Sequence, residues 1–378
     1  MIYLDVSAAV HRRAGLGRYA ESLVRALVAW AQTHPDEALP FALFYNRGRG
    51  SRPLAGLEHL PARTVRAGYK PWRMAIWLGQ LARIPFNRLL PGATLYHATE
   101  HLLMPLRNLP TVLTVHDLIF ELFPRFHKPL NYWYLHWTMP LYCRRADRII
   151  AVSQATRRDL TQHYGVAPER ITVVYEAAAP HFRPASPQAI AALRARYALP
   201  DRFLLHVGTI EPRKNLERLL DALALLRRQG QDVYLVLAGG KGWLYEGFFR
   251  KLERFPHREA VRWLGYVPDE ALPALYSAAT LCVVPSLYEG FGLPVLEAMA
   301  CGTPVVCSRS GSLPEVGGAA ARYFDPNDVE AMAAAIGAVW QDGDAQAAMR
   351  EQGLAQAARF SWERAAEETM AVYRRLKG

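Results

Sequence analysis

Two hydrophobic periods alternate along the chain. Short apolar runs, as buried strands require, recur between stretches whose apolar positions fall three and four residues apart, as a helix face requires. Residues 2–6 form the first run. Beyond Gly15-Leu16-Gly17, the positions Leu23, Val24, Leu27 and Val28 share one helical face. Residues 111–115 and 148–152 read as further buried strands. Residues 177–187 (AAAPHFRPASP) are proline-rich and aperiodic, which reads as a linker. The alternation then restarts. Strands are predicted at 203–207, 233–238, 261–264, 281–284 and 305–307, and Leu216, Leu219, Leu220, Leu223 and Leu226 mark a helix. Asp328 is placed to cap a helix running to about Val339. Ser361 is placed to cap a last one, with Trp362, Ala366, Met370 and Tyr373 on one face. Repeated βα units imply parallel sheets with right-handed crossovers. Two such blocks about a linker predict an α/β chain of two Rossmann-like domains facing a central cleft.

Composition agrees with two cores. The chain has 378 residues, 51% hydrophobic and 21% charged, which excludes a disordered protein. Its net charge of +11 calls for an anionic partner: nucleic acid, a membrane surface or a phosphorylated ligand. The excess is local. Residues 46–90 carry nine bases (Arg47, Arg49, Arg52, Arg63, Arg66, Lys70, Arg73, Arg83, Arg88) against one acid, Glu58. No run of 18 apolar residues offers a transmembrane helix. The N-terminus lacks the basic and apolar regions of a signal peptide. Cys143, Cys282, Cys301 and Cys307 show no paired spacing and read as buried thiols in a reducing compartment. The expected location is cytoplasmic.

The densest chemistry lies in residues 285–304 (PSLYEGFGLPVLEAMACGTP). A strand ends, a glycine-bearing loop follows, and Pro294 suits a first helical turn. Open α/β sheets bind ligands at the carboxyl ends of their strands, where this loop must lie. The two glycines let a ligand approach the backbone, and a helix start attracts an anion. Glu289 precedes the loop and Glu297 lies about one turn into the helix. The first is placed to face a reacting sugar, the second to accept bonds from ribose hydroxyls.

This block resembles glycosyltransferase family 4, retaining enzymes of the two-domain GT-B architecture, whose Glu-x7-Glu signature Glu289 and Glu297 match. The resemblance extends to Gly15-Leu16-Gly17-Arg18-Tyr19, Val115-His116-Asp117-Leu118, Ala151-Val152-Ser153, residues 208–216 (GTIEPRKNL) and Gly240-Lys241-Gly242-Trp243. It is nearest to bacterial mannosyltransferase-type members. It implies an acceptor domain at residues 1–180, a donor domain at 181–355, and a C-terminal helix at 356–378 crossing back to the first. It also implies a nucleotide-sugar donor, GDP-mannose for this subgroup, a glycan or lipid-linked acceptor, and no metal or other cofactor.

Physical roles follow for the matched residues. Transfer from a nucleotide sugar expels a diphosphate, and fixed cations stabilise the charge that grows on it. Arg213 and Lys214 lie just beyond a strand and are assigned to the phosphates. Thr209 stands where some family members carry arginine. The resemblance implies that Gly15 and Gly17 approach the diphosphate or sugar from the first domain, and Phe291, Gly292 and Leu293 are expected to offer backbone to the phosphates. Tyr266, Val267 and Ser286, with Glu297, are assigned to base and ribose. His116 and Asp117 are expected beside the reacting sugar with Glu289. His97, Tyr19 and Arg18 are candidate acceptor contacts. Either Glu289 attacks the sugar, or the leaving phosphate accepts the acceptor's proton on the same face; we favour the second route, and His116 is not read as the general base.

Two metal-like patterns are set aside. Asp342-Gly343-Asp344 lies between helical segments and reads as a surface turn. His97 and His101 lack the order of a zinc-protease motif. Residues 69–90 combine bases with aromatics, and Met74, Trp77, Leu78, Leu81 and Ile84 share one helical face, with Arg73, Gln80 and Arg83 to the other side. Such a segment suits either packing on the first sheet or peripheral contact with an anionic membrane at the inner face of the plasma membrane. A GT-B-type nucleotide-sugar epimerase is the alternative enzyme, told apart by epimerised donor. A phosphorylase would need a pyridoxal-bearing lysine, which no segment suggests. The charge also permits a nucleic-acid-binding protein, but no recognition motif appears, so no nucleic-acid partner is expected.

Overall fold

The computed structural model describes residues 1–37 and 39–376, without the side chain of Ala14. Ala38, Lys377 and Gly378 of the expected domain spans lie outside the described residues. The chain divides into two units. The first holds residues 1–121, 130–176 and the segment from Ser361 onward; the second holds 122–129 and 177–360.

The first unit is built on seven parallel strands: β1 (Ile2–Asp5), β2 (Phe41–Asn46), β3 (Ala62–Val65), β4 (Leu95–Ala98), β5 (Thr111–Val115), β6 (Arg148–Ala151) and β7 (Ile171–Val173). Their order is β3-β2-β1-β4-β5-β6-β7. The second unit has β8 (Leu204–Val207), β9 (Leu235–Ala238), β10 (Val261–Gly265), β11 (Leu281–Val284), β12 (Val305–Ser308) and β13 (Ala321–Phe324), ordered β10-β9-β8-β11-β12-β13 and again parallel. Each order reverses beside its first strand. The crevice lies where loops diverge, after β1 and β4 in one unit and after β8 and β11 in the other.

Central strands are buried along their whole length and mostly apolar. Edge strands are not. β3 reads Ala-Arg-Thr-Val and is mostly exposed, and β13 reads Ala-Arg-Tyr-Phe. Helix ends follow local chemistry. Asp328, Asp342 and Ser361 each accept a backbone N–H three residues on. Asp342 thus starts a helix with its carboxylate. All four cysteines are buried free thiols.

The helix Trp362–Arg375 packs on the helix Ala14–Thr33, burying Trp362, Ala366, Met370 and Tyr373. The Tyr373 hydroxyl meets His97 Nδ1 at 2.6 Å, and His97 Nε2 meets Thr114 Oγ1 at 2.8 Å. Tyr19 completes the chain through the same Thr114 oxygen at 3.0 Å. His97 and Tyr19, expected to face an acceptor, are instead buried and tie the last helix to β4 and β5. Burial pushes His97 down to about 3, with His116 adding to the effect, so its ring is neutral and both nitrogens are used within the core.

The helix Tyr69–Ala82 turns Trp72, Ile76, Gly79 and Gln80 inward. Gln80 Nε2 donates to the Leu103 carbonyl. Met74, Leu78, Leu81 and Ile84 are exposed, and Trp77 lies edge-on to Tyr134. Gln80 therefore leaves the polar side on which the helical wheel placed it, because its amide has a buried carbonyl to satisfy.

The Tyr373–His97 bond yields a prediction. Tyr373→Phe keeps the packing but strips His97 Nδ1 of its partner, which costs about 1–3 kcal/mol for an orphaned buried group. Urea unfolding should show a lower midpoint at unchanged slope. An unchanged midpoint would contradict the assignment.

Candidate active site

In the second unit the loops after β8 and β11 meet over one carboxylate. The chain leaves β8 through Gly208, and a short turn at Pro212–Lys214 aims two cations at the next loop. Lys214 Nζ lies 2.6 Å from Glu289 Oε1, and Arg213 Nη1 lies 2.8 Å from Oε2. Ser286 Oγ donates to Oε1 at 2.6 Å. Arg213 also holds the Tyr288 carbonyl and the Glu211 carboxylate, and its own carbonyl accepts from Leu287 N–H.

Burial alone would raise the Glu289 carboxyl. Arg213 and Lys214 outweigh it and hold the group well below the usual carboxylate range. Glu289 is therefore ionised and only 7% exposed. Ser312 Oγ and N–H bond the Glu289 carbonyl from behind, while Ser308 and Ser310 brace the carbonyls of Ser286 and Leu287. The loop ends at Gly292, whose φ of 106° is costly for any other residue; a Cβ there would sit 2.7 Å from Leu313 Cδ2. Leu293 then opens the helix Leu293–Ala300.

The other assigned residues of this unit lie around that loop or at neighbouring strand ends. Phe291 is buried with its ring edge toward Phe360. Glu297 is buried and accepts the Tyr276 hydroxyl at 2.9 Å. Tyr266 follows β10 and is highly exposed, whereas Val267 beside it is buried.

The first unit gathers its groups after β1, β4 and β5. His116 follows β5 and is buried, with Nε2 on the Thr99 carbonyl at 3.0 Å and Nδ1 on Glu176 Oε1 at 3.2 Å. Burial lowers its proton affinity, but Glu176, with the Thr99 carbonyl and Asp117, more than offsets this and the net shift is upward. Both ring nitrogens thus face acceptors. Asp117 spends one oxygen on the Ile119 N–H. Gly15 and Gly17 sit inside the helix Ala14–Thr33, with open space above Gly15 and the Ala8 carbonyl 3.0 Å from where a Gly17 Cβ would stand. Arg18 is half-buried on the same helix.

Several members of this site are absent from the sequence reading. Arg13 pairs with the buried Glu100, and its guanidinium lies 4.2 Å above the Tyr69 ring. Burial pushes His101 down to about 3. Asp5, bonded by Tyr96 and Ser7, is raised by burial and by Glu100 to about 6. Glu100 lies just past a strand end, the one signal that marks it. Among the described residues no group of three metal-ligating side chains occurs.

The doubly wound sheets and the cation-gripped carboxylate at the second switch point define a glycosyltransferase of GT-B fold. The chain belongs to glycosyltransferase family 4: the profile of that name matches residues 13–180, and the profile "Glycosyl transferases group 1" matches residues 192–356. It is 39% identical over 284 residues to the O-antigen chain mannosyltransferase B of Escherichia coli, covering 75% of this chain and 74% of that protein. Among solved structures, a sucrose-phosphate synthase from Thermosynechococcus elongatus superposes with a TM-score of 0.80 at 23% identity, covering 99% of this chain and 98% of that one. The Anabaena protein HepE, solved with UDP and glucose, gives 0.73 at 20% identity and 98% coverage of each chain.

The His116–Glu176 contact is testable by titration. Glu176→Gln should lower the His116 pKa, read from its imidazole resonances in a heteronuclear NMR pH series. In the unaltered protein the folded state binds this proton more tightly than the unfolded state. The pair's stabilisation is therefore full below about pH 6.5 and fades as pH rises through the raised value. The variant should lose that slope; an unmoved His116 titration would refute the assignment.

Proposed function

We propose that the chain is a retaining, metal-independent hexosyltransferase that moves mannose from GDP-mannose to a glycan or lipid-linked acceptor in polysaccharide assembly. The observation that carries this is the buried, ionised Glu289 held by Lys214, Arg213 and Ser286. Kinship to a mannosyltransferase supports the sugar.

The chemistry follows from charge. As the bond from the sugar's anomeric carbon to the phosphate breaks, the carbon becomes cationic and the diphosphate gains negative charge. Arg213 and Lys214 are fixed donors for that charge, already oriented by Glu211, Glu289 and the Tyr288 carbonyl. Glu289, kept ionised, stabilises the cationic carbon and positions sugar hydroxyls. The acceptor oxygen bonds to the carbon on the face the phosphate leaves, and its proton passes to a phosphate oxygen. His116 has both ring nitrogens engaged, one by Glu176 and one by the Thr99 carbonyl, and is not read as the base. Glu297 serves the ribose hydroxyls, with Gly265, Tyr266, Val267 and Ser286 around the base. The same reading places the enzyme in the cytoplasm at the inner face of the plasma membrane, where residues 46–90 meet anionic lipid.

Incubation with GDP-mannose and a mannosyl acceptor, with and without chelator, tests this. The NMR coupling at the new anomeric centre should report retained configuration, with a rate unchanged by chelator. Glu289→Ala should lower kcat on the order of 10²–10³-fold or more while GDP still raises the melting temperature. An inverted product, or full activity of the variant, would refute the reading.

A further inference from the structure

Outside the candidate active site, the first unit carries an apolar face with no cover. Met74, Leu78, Leu81 and Ile84 on or just past the helix Tyr69–Ala82, and Leu130, Trp133 and Trp137 on the helix Pro129–Arg145, are 43–88% exposed. The two helices lie side by side. Arg73 reaches Asn131, its guanidinium lies 3.7 Å from the Tyr134 ring centroid, and Tyr134 donates to the Arg73 carbonyl. Farther along, Arg145 reaches Gln80. Neither helix has amphipathic need of these residues: Trp72, Ile76, Thr138, Met139 and Tyr142 already fill the core side.

A cavity of about 760 Å³ opens at the end of the first helix. Arg83, Arg107 and Arg145 line it, from three different segments. Its one carboxylate, Asp147, is spent on the Thr111 N–H and hydroxyl. Thr111 begins β5, whereas His116 follows its end, so the cavity opens at the opposite ends of the strands from the site described above. Burial lowers the Arg145 proton affinity, and Arg83 and Arg144 add to the effect.

The surrounding sequence matches one occupant. No Asp or Glu occurs from residue 59 to 99 or from 122 to 146, while Lys70, Arg73, Arg83, Arg88, Arg107, Arg125, Lys128, Arg144 and Arg145 fall in or between those stretches. Exposed tryptophan and leucine beside unopposed arginine suit the boundary between acyl chains and anionic headgroups. We propose that the outer face of these two helices docks on an anionic lipid bilayer, with a lipid phosphate entering the Arg83–Arg107–Arg145 cavity. This rests on the reading of a membrane-supplied acceptor and narrows the contact from the whole basic segment to one face and one cavity.

Flotation with vesicles of phosphatidylcholine containing phosphatidylglycerol, against phosphatidylcholine alone, tests it on the full chain. Binding should need the anionic lipid and weaken with salt. The triple variant Leu78→Ser, Leu81→Ser, Ile84→Ser should lose at least 10-fold in affinity. Arg83→Asn with Arg107→Gln should lose on the order of 10-fold; asparagine tolerates the left-handed backbone of Arg83. Circular dichroism and slow hydrolysis of GDP-mannose without lipid should match the parent in every variant, since none of these residues serves the reaction. Failure of the parent to float with anionic vesicles, or equal binding by both variants, would overturn the proposal. Vesicle binding without turnover of any nucleotide sugar would instead sink the proposed reaction and leave the docking face standing.

Discussion

A carboxylate buried without partners would not stay charged, and Glu289 is buried and charged. Everything near the second switch point is arranged to make that tolerable. Lys214 and Arg213 supply the opposing charge, and Ser286 supplies a hydroxyl. Because the cations come from the turn after β8 and the carboxylate from the loop after β11, the ion cluster reinforces the hydrogen bonds that already join these two connections. Serines 308, 310 and 312 extend the lock to the segment after β12. The glycine at 292 is needed because Leu313 closes from the same side.

The first unit solves a related problem differently. Its buried charges are distributed in pairs, Arg13 with Glu100 and His116 with Glu176, around the reversal between β1 and β4. His116 gains its proton affinity from a glutamate sixty residues further on, at the end of that unit's continuous chain. Each pair joins segments remote in sequence, so the chemistry at the strand ends depends on the whole sheet being assembled.

Much of this was legible before any coordinates. Strands buried on both faces announce themselves as apolar runs, and the capping roles of Asp328 and Ser361 are local chemistry that any helix start would use. The linker near 177–187 shows in its prolines. The edge strands β3, β7 and β13 lie outside the predicted runs, because an edge faces water and needs no apolar pattern; the buried strands β2 and β4 lie outside them too, β4 with Tyr96 and His97 breaking its apolar run. At the site, Arg213, Lys214, Ser286 and Glu289 carried a motif and meet as one cluster. Arg13, Glu100 and Glu176 carried none, since what matters about them is a partner tens of residues away. His97 and Tyr19 stood at positions that looked functional but whose polar atoms are consumed by the core. His97 lies within β4 and Tyr19 within the helix Ala14–Thr33, and side chains of residues 362–375 close over both.

That closing helix also sets an order of events during synthesis. The ribosome emits residues 1–121 and 130–176 early, yet the hydroxyl that satisfies His97 and the rings that cover Tyr19 come only after the entire second unit has been made. Until then the nascent first unit holds an uncapped histidine and a bare apolar stripe on its Ala14–Thr33 helix. The first unit is thus complete only once chain that follows the second unit is available to it.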